Sequence, residues 1–200
     1  VNELRSLDVW LHPEYDAITQ ANDIALIELR RWNKVKIDKS QIVKLDIFAY
    51  KYNGHEFHSC MGLGFGKNIH NDTVLHHNLY EINYDSYGCG CEENNPGSLC
   101  GRLQTSKQPC FIYKGGPLIC RGLVVGIASI AYECDTTEHH TLCARQTYFR
   151  FTYLCAYFKW ISDYVFNFAK ECNKQCNSLL SSAPAKSPLI IHHLTFIIFI

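Results

Sequence analysis

The chain has 200 residues, with 19 Lys+Arg balanced by 19 Asp+Glu and ten His besides. A formal charge of zero leaves no basic footprint for nucleic acid and no polybasic membrane patch. A hydrophobic content of 47% with 19% charged residues excludes disorder and suffices for one good-sized domain or two small ones. Residues 1–60 read as strands and turns. Ile24-Ala25-Leu26-Ile27-Glu28-Leu29 is a short apolar run entered from Asp23, and its length suits a buried strand better than a helix. Ile42-Val43 and Leu45 through Tyr50 are further strand material. Residues 85–109, rich in Gly, Asn, Ser, Pro and Cys, read as bridged loops. Pro117–Cys120 and Leu123–Ala128 predict two strands across a turn at Gly122. Over 152–169 the period changes: Leu154, Tyr157, Phe158, Ile161, Val165 and Phe168 recur at three and four, the mark of an amphipathic helix. Many short strands followed by one helix predict an all-β barrel or sandwich.

Eleven cysteines dominate the composition. Ten could form five bridges, which points to an oxidising, secretory compartment and leaves one over. Zinc is the rival reading. Cys172 and Cys176 have metal-like spacing, but no matching second pair follows, and Cys89-x-Cys91 is too tight for the usual zinc knuckle. The neighbouring pairs His76-His77 and His139-His140 point in divergent directions on any regular backbone and suit solvated loops, so no metal or other cofactor is expected. Asn71-Asp72-Thr73 is a glycosylation sequon, in keeping with secretion. The chain opens on Val1 without an initiator Met or signal peptide, as a mature form or a fragment does.

The last thirty residues differ from the rest. Residues 171–188 form a linker containing Cys, Ser and Pro, and 189–200 are apolar apart from His192, His193 and Thr195. Twelve residues fall short of the ~20 that span a bilayer as a helix. Ser181-Ser182-Ala183 before a short spacer and an apolar end have the layout of a GPI-anchor signal, which makes the tail a membrane tether. The alternative is a plain unstructured apolar end.

Four stretches, in order, carry a family resemblance. Asn22-Asp23-Ile24-Ala25-Leu26-Ile27 follows His12-Pro13-Glu14-Tyr15-Asp16. Gly64-Phe65-Gly66 follows Cys60. Cys110-Phe111-Ile112-Tyr113-Lys114-Gly115-Gly116-Pro117-Leu118-Ile119-Cys120 has the length and both cysteines of a C-x-G-D-S-G-G-P-L-x-C frame. Thr152 through Trp160-Ile161 ends in a W-I pair. Together they span about residues 10–168 and resemble the trypsin-like serine peptidases of the chymotrypsin fold. The resemblance implies an all-β, chymotrypsin-like double β-barrel, its first barrel incomplete, with a C-terminal α-helix, over residues 1–170. It implies disulfides Cys60–Cys120 and Cys110–Cys134, and pairs Cys100 with Cys89 or Cys91. Cys143, Cys155, Cys172 and Cys176 have no counterpart, and their connectivity stays open.

The resemblance also implies where chemistry should sit, and several positions depart from it. Serine-peptidase catalysis needs a nucleophile, a base, an orienting carboxylate and oxyanion donors. Lys114 stands at the nucleophile position. An ammonium has no free electron pair until it loses a proton, and an ordinary lysine keeps that proton to about pH 10. Tyr113 replaces the family's Asp that receives a newly freed N-terminus. Ile112 stands at an oxyanion-hole position where the family has a Gly. The family's catalytic His lies in an A-H-C segment upstream of the Asp, and this chain begins after it. Asp23 matches the orienting carboxylate, or serves as a structural Asp at a strand entrance. Gln108, Ser129, Ala131 and Phe149 align with the substrate pocket, with Phe149 either filling the slot or packing in the core. The expectation is a secreted, catalytically inactive peptidase homologue that binds a protein or peptide. The alternative is an active serine endopeptidase whose sequence is incomplete or in error at 114. A third reading makes the barrel a scaffold for an interaction protein linked through its tail. An incomplete first barrel also leaves strand edges to aggregate, so residues 1–200 alone should express poorly.

Overall fold

A computed structural model describes residues 6–29, 45, 57–67, 73–83, 89–90, 97–104, 114–134, 147–165 and 195–199. In chain order they form β1 (Ser6–Leu11), β2 (Ala25–Leu29), β3 (Phe57–Lys67), β4 (Thr73–Asn83), β5 (Ser98–Leu103), β6 (Pro117–Cys120), β7 (Leu123–Glu133) and β8 (Thr147–Tyr153). A 3-10 turn (Leu154–Tyr157), α1 (Phe158–Tyr164) and β9 (Thr195–Phe199) follow. Six strands close into an antiparallel barrel in the order β3-β4-β5-β8-β7-β6, sealed by β6 pairing back to β3 at Met61–Ile119 and Gly62–Leu118. The remaining strands form a three-stranded sheet, β1-β2-β9. The architecture is the all-β, chymotrypsin-like one: one closed barrel, one incomplete sheet and a helix behind them.

The alternation of side chains along β7 explains how the two halves meet. Val125 points into the barrel, with Tyr80, Ile82, Leu99, Leu118, Phe149 and Phe151. Its neighbour Val124, with Ile127, points outward into a second cluster. That cluster holds Ile24 and Leu26 from the sheet side, and Leu154, Tyr157, Trp160 and Ile161 from the helical end. One strand therefore serves two cores, because successive residues of a strand face opposite sides. Trp10 of β1 completes the outer cluster and packs against Tyr164 of α1, the rings tilted with centroids 5.5 Å apart.

Two sequence expectations need correction. Residues 85–109 are not loop throughout, since β5 occupies Ser98–Leu103. Its Ser, Cys and Gly content suggested a turn, but Leu99 and Cys100 are buried, and the strand pairs with both β4 and β8. The helix read over 152–169 starts later. Thr152 and Tyr153 belong to β8, whose ladders to β5 and β7 use their backbone groups, and Tyr153 N–H donates to Gly97 O at 2.8 Å. The helical period begins at Leu154, and Val165 has already left it, with extended dihedrals. The long strands β3 and β4 were not singled out from sequence, although Met61, Leu63 and Phe65 alternate with glycines along β3. Of the strand expected over 42–50, Leu45 alone is described; its backbone forms a parallel bridge with Val124. The apolar tail contributes β9, paired antiparallel to β2 over five residues.

Cys60 and Cys120 are joined, tying β3 to β6, and Cys89 is joined to Cys100. Cys134 and Cys155 are disulfide-bonded as well. Cys91, Cys110, Cys143, Cys172 and Cys176 lie outside the described residues. Among the described residues, no helix is long and apolar enough to cross a membrane.

Candidate active site

The site gathers around two consecutive residues of β7. Ala128 exchanges backbone bonds with the turn that follows Lys114: Gly115 N–H donates to Ala128 O, and Ala128 N–H donates to Gly116 O, both at 2.8 Å. The next residue, Ser129, falls where the β7–β8 register slips between Ala128 and Ile130. A bulge re-aims a side chain, and here the Ser129 hydroxyl donates to Asp23 Oδ2 at 2.6 Å. The turn carrying Lys114 and the carboxylate of Asp23 are thus linked through adjacent residues of one strand. Two glycines make the turn. Gly115 has φ +78°, and a Cβ on Gly116 would come within 2.0 Å of Leu63 O, so no side chain fits against β3 there.

Asp23 is 9% exposed and held at its backbone as well as its carboxylate. Thr152 Oγ1–H donates to its carbonyl at 2.8 Å. The preceding residue, Asn22, sits at φ +54°, and its amide oxygen accepts from Tyr157 OH at 3.1 Å. The Asn22 side-chain amide in turn donates to Glu14 O at 2.9 Å. Burial pushes the Tyr157 phenol up to about 12, which keeps it a hydrogen-bond donor through the physiological range. Beneath the loop, the buried Arg150 points its guanidinium at two backbone carbonyls, Thr19 O at 3.2 Å and Gln20 O at 3.4 Å. Arg150, Thr152 and Tyr157 were not singled out from sequence as residues of the site. Arg150 alone left a signal there, as a charge set between Phe149 and Phe151 in an apolar strand.

His12 packs at the helical end of the molecule. Its ring packs on Tyr157 and Trp160, with centroids 5.4 and 5.1 Å away, and its Nδ1 accepts from Glu14 N–H at 3.2 Å. Burial holds its imidazole below the ordinary value, against a smaller upward pull from Glu14. These contacts fasten the 12–16 segment to the helical end of the molecule.

Among the pocket positions, β7 and β8 bring Ser129, Ala131 and Phe149 together, with Ala131 directly opposite Phe149 in the ladder. Phe149 is 5% exposed and lies within the barrel core, edge-on to Tyr80 at 5.0 Å. Lys114 is exposed. Gln108, Ile112 and Cys110 fall outside the described residues. Among the described residues, no group of three His, Cys, Asp or Glu side chains could hold a metal ion.

A closed six-stranded antiparallel barrel beside a second sheet, with a buried Asp held by Ser129 and a Gly-Gly-Pro turn held by the adjacent Ala128, is the architecture of the serine-peptidase class of β-barrel domain. Comparison with known proteins agrees. The Trypsin family profile matches residues 2–161, and the chain belongs to that family. It is 28% identical over 159 residues to trypsin II-P29 of Gallus gallus, a match covering 76% of this chain and 59% of that protein. It is 26% identical to cationic trypsin-3 of Rattus norvegicus, over 77% of this chain and 60% of that protein. The chain thus spans about 60% of the length of these curated relatives. Among solved structures, HL collagenase superimposes with a TM-score of 0.62 at 21% identity, over 80% of this chain and 67% of that one. Kallikrein-related peptidase 10 superimposes with a TM-score of 0.58 at 22% identity, over 80% of this chain and 71% of that one. These two likenesses concern the fold.

Proposed function

We propose that this protein is an extracellular member of the trypsin family that binds a protein or peptide and does not cleave it. One observation carries the reading: Lys114 precedes the Gly115-Gly116-Pro117 turn, where the family's frame has its serine. Acyl transfer begins with attack by an activated hydroxyl. An ammonium at that place offers no attacking atom, and lysine nucleophiles suit Schiff-base chemistry with carbonyls rather than amide cleavage. The turn itself is kept, with its 2.8 Å bonds to Ala128, and so is the Ser129–Asp23 contact. Intact architecture around an altered reacting position supports a scaffold retained for recognition. Disulfides at Cys60–Cys120 and Cys89–Cys100 support an oxidising, extracellular setting.

The test is covalent labelling of the native protein with a fluorophosphonate, alongside a peptidase assay. No adduct and no hydrolysis are expected. A labelled protein, or hydrolysis abolished by Lys114→Ala, overturns the reading. The opposing reading, an active serine endopeptidase with a misread residue 114, draws on the preserved Asp23 environment. Sequencing the transcript through codons 111–116 decides it, because a plain lysine codon ends that alternative.

A further inference from the structure

His12 is buried although Pro13, Glu14 and Tyr15 beside it are exposed. Its backbone N–H donates to Ile24 O and its carbonyl accepts from Tyr15 N–H, both at 3.1 Å. Its Nδ1 accepts from Glu14 N–H at 3.2 Å, which requires a ring without a proton on that nitrogen. Glu14 passes the hold on. Its N–H is bonded to His12, and its carbonyl accepts from the Asn22 side-chain amide at 2.9 Å. Asn22 accepts in turn from Tyr157 OH at 3.1 Å, sits at φ +54° and directly precedes Asp23. A non-Gly residue keeps a left-handed backbone where its surroundings impose it, and these two side-chain bonds contribute to that here.

A proton on Nδ1 removes the acceptor. Imidazolium is a donor at both nitrogens, so Glu14 N–H would face another N–H. The rings packed on His12 offer no replacement. Tyr157 OH is committed to Asn22, and the buried Nε1–H of Trp160 already lacks an acceptor among the described residues. Two titratable groups face the ring. Glu14 favours the proton, and the Tyr157 phenol, pushed up to about 12, stays neutral while Arg150 and Asp23 act on it with opposite sign. Lys159 and Asp163 of α1 do not bear on the imidazole. Burial outweighs the pull of Glu14 and keeps the ring neutral at neutral pH.

We propose that His12 is a proton-operated latch: its protonation releases Glu14 from the 12–16 turn and, through Asn22, loosens the segment that carries Asp23. The Asp23 side of the site thus has two states, fastened at neutral pH and loosened in acid. The device belongs to the fold and stands whatever group occupies position 114 and whatever the protein binds.

The test is nitrogen-15 NMR of the full chain from roughly pH 7.5 down to roughly pH 4.5, following the His12 ring nitrogens, the Glu14 backbone amide and the Asn22 side-chain amide. One shared midpoint is expected, below 6.5. Exchange of the Glu14 amide, corrected for its intrinsic pH dependence, should rise roughly tenfold or more across it. His12→Gln keeps a neutral acceptor in place and should leave both amides unchanged over the same range. Glu14→Gln keeps the backbone N–H, removes only an exposed carboxylate, and should move the shared midpoint to lower pH. Amides that do not follow the ring, or that move equally in His12→Gln, overturn the proposal. If His12→Gln does not fold, Glu14→Gln decides. A transition that persists at lower pH supports the latch, and one that vanishes with the carboxylate overturns it.

Discussion

Ser129 and Asp23 are in contact across 106 positions of sequence, and both are almost fully buried. A buried acceptor stripped of its donor keeps its full desolvation cost. Ser129→Ala should therefore destabilise the fold by about 1–3 kcal/mol. Urea unfolding checks this, and a midpoint unchanged from the parent would mean that Asp23 finds an equal partner elsewhere. His12 supplies a pH dependence. Its folded-state value lies below the ordinary 6.5, because burial disfavours the imidazolium. Between those two values the unfolded chain binds more protons than the folded one, so stability rises with pH through that window. The contribution is complete above 6.5 and is lost on acidification down to the folded value. Urea midpoints at pH 5.5 and 7.5 should differ less in His12→Gln than in the parent, and an identical difference would remove His12 as the cause. Asp23 was legible in the sequence because a short motif surrounds it. Arg150, Thr152 and Tyr157 were not, because their partners at residues 19–23 lie about 130 positions away and only the folded barrel brings them close.

The elements that hold the site are joined at β3, β6 and β7. Gly116 marks the tightest approach: an added methyl would sit 2.0 Å from a backbone carbonyl, and no side chain can rotate away to admit it. Gly116→Ala must displace β3 or the turn itself. It should cost at least about 3 kcal/mol, the upper range for overpacking. Thermal unfolding checks it, and a Tm within a degree or two of the parent would show that the turn relaxes freely. Cys60–Cys120 clamps the same two strands across 60 residues, whereas Cys89–Cys100 closes 11. In the chain-entropy account these loops correspond to about 4 and about 3 kcal/mol. Cys60→Ala/Cys120→Ala should therefore lower Tm more than Cys89→Ala/Cys100→Ala, and the reverse order would place the stabilisation in local packing instead. The strands easiest to read were those buried on both faces, such as Leu26 with its neighbours and the run Leu123–Ala128. β5 was read as loop because turn-forming residues there are recruited into a strand by pairing partners on both sides, which composition does not encode. The apolarity of β9 is legible in the sequence, whereas the identity of its partner, β2, is not.

At the scale of the molecule, the two halves close differently. A barrel whose last strand pairs with its first has no edges to offer, but among the described residues the second sheet has two outer strands and two faces. Trp10 and Leu26 turn one face of that sheet toward the helix and the barrel wall. Val9 and Leu11, on the other face of β1, are 54% and 66% exposed. Exposed apolar residues on an outer strand favour self-association. Val9→Lys/Leu11→Lys should raise the concentration at which the protein stays monomeric by sedimentation. The asymmetry also governs unfolding. Trp10 and Trp160 both belong to the outer cluster that joins the sheet and helix to the barrel, while the barrel interior is built from Tyr80, Phe149, Phe151 and aliphatic residues. Regions open independently when they share few buried contacts with the rest, and among the described residues the sheet meets the barrel along β7 and β8. In a Trp32→Phe background, the fluorescence of Trp10 and Trp160 should therefore change at lower urea than the far-ultraviolet circular dichroism of the barrel strands. Coincident transitions would mean that the Ser129–Asp23 and Thr152–Asp23 contacts couple the two halves into a single cooperative unit.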